Sequence, residues 1–146
     1  AYLTRANLMG ADLSGANLSY ANLRNAENIP DYVLAVTCIL PVGDIIGWKK
    51  CNGNIVVKMK IPAKARRSNA TGRKCRAEYV KVLALYDGTN SEELPADTIA
   101  TTNNHGPDTM YQKGKTVKCN IWDDDRWNGC SGGIHFFITR YEAEVY

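Results

Sequence analysis

From Ala1 to Asn28 the apolar positions recur every five residues. Leu3, Leu8, Leu13, Leu18 and Leu23 hold one register; Ala1, Ala6, Ala11, Ala16, Ala21 and Ala26 hold another, two positions ahead. Polar residues fill the remaining places, as in ADLSG and ANLRN. A helix stripe recurs at 3.6 residues and a strand face at 2, so neither regular element explains the spacing. A repeat does: one pentapeptide cannot bury its own Leu and Ala, and stacked copies can.

After Pro30 the five-residue period stops, which divides the chain into a repeat segment, 1–30, and a domain, 31–146. The run YVLAVTCIL, β-branched and apolar up to Pro41, predicts a buried strand. The runs DIIGWKK and NIVVKMKI flank Cys51-Asn52-Gly53, and Asn-Gly between apolar runs predicts a hairpin. In its second arm Ile55, Val57, Met59 and Ile61 alternate with Val56, Lys58 and Lys60, giving one buried and one largely basic face. CRAEYVKVLALYDG predicts a central strand that stops at Asp87-Gly88. Residues 88–109 are rich in turn formers and read as a long surface loop. TMYQKGKTVKC suggests strand, turn and strand, and GIHFFI a further strand. Thr139 and Glu142 stand at capping-box spacing and open a short terminal helix. The expected fold class is mainly β, with a β-rich α+β domain behind the repeat.

The units AYLTR, ANLMG, ADLSG, ANLSY and ANLRN resemble the pentapeptide-repeat family, consensus A-(D/N)-L-x-x. The resemblance implies a right-handed, quadrilateral β-helix with four pentapeptides to a coil. Its core would be Leu3, Leu8, Leu13, Leu18 and Leu23 with Ala6, Ala11, Ala16 and Ala21. Five units make little more than one coil, so its two ends need cover from the following domain, a partner chain or further repeats ahead of Ala1. A second resemblance rests on IPAKARRSNATGRKCRAEYVKVL, YQKGKTV and DDDRWNGCSGGIHFFITRYEAE. These are similar to a domain of unknown function that follows pentapeptide repeats in proteins of phages, large DNA viruses and some bacteria. CSGGIHFF is also similar to the ending of phage rapid-lysis proteins. The resemblance implies a viral setting and supplies no chemistry.

The 146 residues, 45% hydrophobic and 23% charged, suit one domain with an appendage. No run approaches the roughly 20 apolar residues of a membrane span, and no secretory leader is visible. A virion or host-cytoplasm location without membrane contact is the expectation. The five cysteines are odd in number and widely spaced, which favours reduced, buried thiols; with His105 and His135 they make no zinc-finger spacing. No cofactor is expected.

Charge is uneven. Between Lys49 and Lys81 lie 11 of the 18 Lys and Arg against the single acid Glu78, a balance of +10, while the rest of the chain balances at −7. Lys64, Arg66, Arg67, Arg73, Lys74 and Arg76, around SNATG, form the candidate anion- or partner-binding group, unless they pair with Glu92, Glu93 and Asp123 to Asp125. Any catalytic claim has to live in DDDRWNGCSGGIHFF, with Asp123, Asp124 and Asp125 as metal ligands, Cys130 as nucleophile and His135 as base. The Ser-Gly-Gly turn between Cys130 and His135 favours a structural turn instead, and no phosphate-loop spacing is present. The expectation is a non-enzymatic structural or protein-interaction module, with a protein partner or self-association at the repeat end. Nucleic-acid binding through residues 49–81 is the alternative, and an enzyme acting on a nucleotide or phosphorylated substrate comes third.

Overall fold

The repeat segment runs back alongside itself. In the computed structural model, which describes residues 1–102 and 108–146, parallel bridges join Tyr2 to Asn22 and Asn7 to Glu27, 20 residues apart in each case. One circuit of chain is therefore four pentapeptides long. The Leu3 N–H donates to the Asn22 carbonyl at 2.8 Å and the Asn22 N–H to the Ala1 carbonyl at 2.9 Å; Leu8, Glu27 and Ala6 repeat the pattern at 2.9 and 2.8 Å.

Local chemistry explains the consensus. The fifth residue of each unit turns the corner with positive φ, at Arg5, Gly10, Gly15, Tyr20 and Asn25. The next Ala N–H then donates back to the Leu carbonyl, from Ala6 to Leu3 through Ala26 to Leu23. The Asn or Asp at position two accepts the N–H two residues on, at Met9, Ser14, Ser19 and Arg24. This is the Asx turn, which favours Asn and Asp there over other polar residues. Leu8, Leu18, Ala21 and Leu23 are buried, while Leu3, Ala6, Ala11 and Leu13 pack around them partly exposed. Ala16, expected inside, is exposed. The chain leaves the repeat near Asn28, before a second circuit has passed over residues 11–20.

Asp31–Thr37 is a helix, α1, and not the strand expected from YVLAVTCIL. Pro30 enters it at φ −60, Asp31 places an acid in its first turn, and only Val33 is buried, inside the repeat cluster. The Tyr32 hydroxyl accepts the Leu13 N–H at 2.6 Å. Covering the circuit thus outweighs the β-branched propensity of the run.

The strands, numbered in chain order, are β1 (Ile45–Cys51), β2 (Ile55–Ile61), β3 (Arg67–Asn69), β4 (Cys75–Ala77), β5 (Tyr79–Asp87), β6 (Ile99–Thr102), β7 (Thr109–Gln112), β8 (Thr116–Lys118) and β9 (Ile134–Phe136). They form antiparallel sheets in the orders β1-β2-β5-β8, β3-β4-β9 and β6-β7. The expected hairpin closes at the Cys51–Ile55 pair, with positive φ at Gly53 and Asn54. A bulge between Lys58 and Met59 skips Leu83, so Val80, Val82 and then Leu85 all reach the core. Where β1 crosses β9, Gly47 has no room for a side chain: a Cβ there would lie 2.6 Å from Phe136 Cδ2 and 2.8 Å from Ile61 Cδ1.

The expected loop 88–109 contains β6, with Ala100 and Thr102 buried. Four strand residues among turn formers leave too short a pattern to read. Residues 103–107 of that stretch, His105 among them, lie outside the described residues. The terminal helix, α2 (Arg140–Val145), starts as expected: Thr139 Oγ1 accepts the Glu142 N–H at 3.3 Å and donates to Glu142 Oε1 at 2.7 Å. The fold is mainly β with a short C-terminal helix. All five cysteines are free, but only Cys51 and Cys75 are buried, while Cys38 and Cys130 are exposed. The expectation of five core thiols fails because Cys38 follows α1 at the surface and Cys130 sits in a turn.

Candidate functional site

The six basic residues of 64–76 do not converge on one surface, because their own chain uses most of them. Arg76, on the middle strand β4, is 1% exposed. Its Nη1 donates to the Asp123 and Gly132 carbonyls at 3.0 and 2.7 Å, and its Nη2 to the Asp125 carbonyl at 2.9 Å and Ser68 Oγ at 3.3 Å. Burial lowers its pKa, against the opposing charges of Asp123 and Asp125. Arg76 is thus the post around which residues 122–133 wrap, and it leaves the anion-binding group. Arg67 donates to the Gly43 and Pro62 carbonyls, both at 2.6 Å. Arg73 is held in a fork by Glu142 at 3.0 and 2.7 Å. Arg66 spans Glu78 at 3.1 Å and Asp124 at 3.2 Å, the pairing with the acidic run that the sequence offers as the alternative. Lys64 is exposed. Among the described residues Lys74 meets soft partners, Cys130 Sγ at 3.4 Å and the Tyr146 hydroxyl at 3.5 Å, and its ammonium lies over the Tyr146 ring.

The three aspartates point three ways. Asp123 accepts the Asp125 N–H at 2.8 Å and Asn128 Nδ2 at 3.0 Å; the Ser131 hydroxyl, then the Asp125 N–H, hold its carboxyl below the usual range. Asp124 accepts Trp122 Nε1 at 2.6 Å, and Asp125 accepts the N–H groups of Trp127 at 3.1 Å and Asn25 at 3.2 Å. Among the described residues no group of three His, Cys, Asp or Glu could hold a metal.

Cys130 and His135 do not share a depression either. His135, on β9, has its Nε2 2.9 Å from the Ser131 carbonyl, and burial pushes its pKa down to about 4. It lines a depression of about 200 Å³ with Lys49, Tyr111 and Cys119. Cys130 lines a different one, of about 550 Å³, where the repeat meets the domain. Tyr20 and Arg24 contribute from the repeat, Lys74 from the turn before β4, Trp127 from residues 122–133, and Phe137 and Tyr146 flank α2. No spacing in the sequence connects these residues, so reading along the chain misses the cleft.

The two edges of the repeat circuit differ. On one, the Tyr20 N–H donates to the Thr71 carbonyl at 3.1 Å, Thr71 Oγ1 to the Ala21 carbonyl at 2.6 Å, and the Asn25 N–H to Asp125 Oδ2. Trp127 packs against the repeat cluster there. On the other, the parallel ladder decides what is free. Asn22 bonds through Ala1 and Leu3, and Glu27 through Ala6 and Leu8, so the N–H and C=O of Tyr2 and Asn7 face away from them. Tyr2 and Met9 are 93% and 75% exposed.

Residues 36–143 match a family of unknown function (DUF5758), and residues 1–27 match pentapeptide repeats (8 copies). No curated protein and no solved structure matches the chain.

Proposed function

Since the chain belongs to the family of unknown function DUF5758, with pentapeptide repeats ahead of the matched region, we propose that it is a non-enzymatic protein-interaction module that docks through the uncovered edge of its repeat. In this reading residues 1–30 begin a right-handed, quadrilateral β-helix, and residues 31–146 are the domain that caps it. The 20-residue spacing of the two bridges supports four pentapeptides to a coil. The observation that carries the reading is the asymmetry of the circuit. One edge is covered by Tyr32, Thr71 and Trp127, and on the other no described residue pairs with the backbone groups of Tyr2 and Asn7, which lie beside exposed apolar side chains. Such an edge is a template for another strand. A second copy of the chain, or another pentapeptide coil, offers the matching ladder.

The setting, a phage or viral assembly in the virion or the host cytoplasm, rests on the resemblance of the two regions. No helix among the described residues is long and apolar enough to cross a membrane. Light scattering across a concentration series tests the docking edge. A mass above that of one chain, lowered by Tyr2→Asp with Met9→Asp, is the expected result. A monomer at every concentration that also ignores an added pentapeptide-repeat protein overturns the reading.

A further inference from the structure

We propose that the cleft between the repeat and the domain binds a nucleotide, stacking its base on exposed tyrosine rings and placing its phosphate beside Lys74 and Arg24. This is a different surface from the docking edge, and it does not depend on that reading. The cleft, about 550 Å³, has the size of a small-ligand site, and no Asp or Glu lines it. Two of its aromatic side chains, Tyr20 and Tyr146, are each 74% exposed. They come from opposite ends of the chain and are brought to one cavity.

Both rings are held in place. Tyr20 lies against the bare backbone of Gly72, where a Cβ would sit 3.0 Å from its Cε1. Tyr146 packs on Phe137 with ring centroids 5.2 Å apart. Lys74 Nζ stands 5.7 Å from the centre of the Tyr146 ring. The ammonium lies over the ring face, so a base stacking there takes its place and leaves Lys74 to turn to the phosphate.

The charge in the cleft is of the right kind. Arg73 is neutralised by Glu142, but among the described residues neither Lys74 nor Arg24 has a carboxylate within ion-pair distance. Of the three cations that line the cleft, Arg24, Arg73 and Lys74, only Arg73 is ion-paired, which leaves Lys74 and Arg24 for an external anion. Aromatic faces combined with unpaired cations are how sequence-tolerant binding of nucleotides and single strands is built. An acidic peptide would use the cations but leave the ring faces idle. The lining residues lie outside the nine strands, which gives a peptide strand little ladder to join. Residues 49–81, the nucleic-acid candidate in the sequence, contribute only this one lysine of free charge to the cleft.

Titration calorimetry on the whole chain tests the proposal, with adenosine monophosphate and a short oligothymidylate as probes. At least one should bind, and Lys74→Glu and Tyr146→Ala should each weaken it about tenfold, as expected for loss of one phosphate contact or one stacked base. Arg66→Glu, outside the cleft, should leave it unchanged, and circular dichroism on each variant confirms the fold. Equal affinity for both probes identifies a free nucleotide as the ligand. Binding of the oligomer alone, falling steeply with salt, identifies a single strand. The proposal is overturned if neither probe binds, if Arg66→Glu weakens binding as much as Lys74→Glu, or if polyglutamate displaces the probe while Tyr146→Ala has no effect.

Discussion

Replacing Arg76 with methionine should loosen residues 122–133 without unfolding the four-stranded sheet. Methionine keeps the length and apolar stem of the side chain, so the change removes the guanidinium fork and little else. That fork donates to the carbonyls of Asp123, Asp125 and Gly132 and to Ser68 Oγ, with the charge over the Trp122 ring at 5.1 Å. A hydrogen bond from a charged donor contributes about 1.5–3 kcal/mol, and an acceptor left dry costs a similar amount. The three carbonyls belong to partly exposed residues and recover part of this from water. Burial of the charge, whose direction is visible in the lowered pKa, offsets more. The net expected loss is about 3–5 kcal/mol. Arg76→Lys should recover little of it, because one ammonium cannot serve three carbonyls arranged around a planar fork. Urea denaturation gives the free energy, and limited trypsin digestion reports on the loop, since Arg126 should become cleavable under native conditions. A loss below about 1 kcal/mol with Arg126 still protected would refute the role assigned to Arg76.

Leu23 is fully buried in the repeat cluster, and Leu23→Ala should cost about 2–5 kcal/mol, read as a lowered urea midpoint. Gly47→Ala should destabilise by about 1–3 kcal/mol through the clash with Phe136 and Ile61, which a thermal melt will show. Because burial holds His135 down to about 4, the unfolded chain takes up a proton on this residue from its ordinary value near 6.5 downward, while the folded chain does not. Its contribution is therefore complete above that value and is lost as pH falls toward 4; the pH–stability slope between them should flatten in His135→Leu, and an unchanged slope would show that another group is responsible.

The elements legible in the sequence are those whose cause is local. The Asx acceptor at position two and the Leu at position three give the repeat, Asn52-Gly53 the hairpin, and Thr139 with Glu142 the start of α2. The failures have distant causes. α1 forms because Tyr32 and Val33 cover a circuit of chain some 20 residues away, and that outweighs a β-branched run. Arg76 looks like part of a basic patch until β3 and β9 close over it and the loop carbonyls turn inward. The charge of Arg73 is paired with Glu142, far along the chain. The cleft joins residues from positions 20 to 146 and has no signature in any single stretch.

The one-sided cover of the repeat makes it a ruler. Among the described residues, the hydrogen bonds that hold the domain to the circuit, from Leu13 to Tyr32, Tyr20 to Thr71, Thr71 to Ala21 and Asn25 to Asp125, lie on one edge. Pentapeptides inserted ahead of Tyr2 in sets of four would therefore leave all of them untouched. Each set would carry the docking edge farther from the domain by one strand spacing, about 4.8 Å, with the same side chains returning to the same sides. Insertions that are not multiples of five would instead turn leucines outward. Under the proposed docking, the distance between a partner on that edge and a ligand on the domain is thus set in equal steps, and it can change without altering either surface.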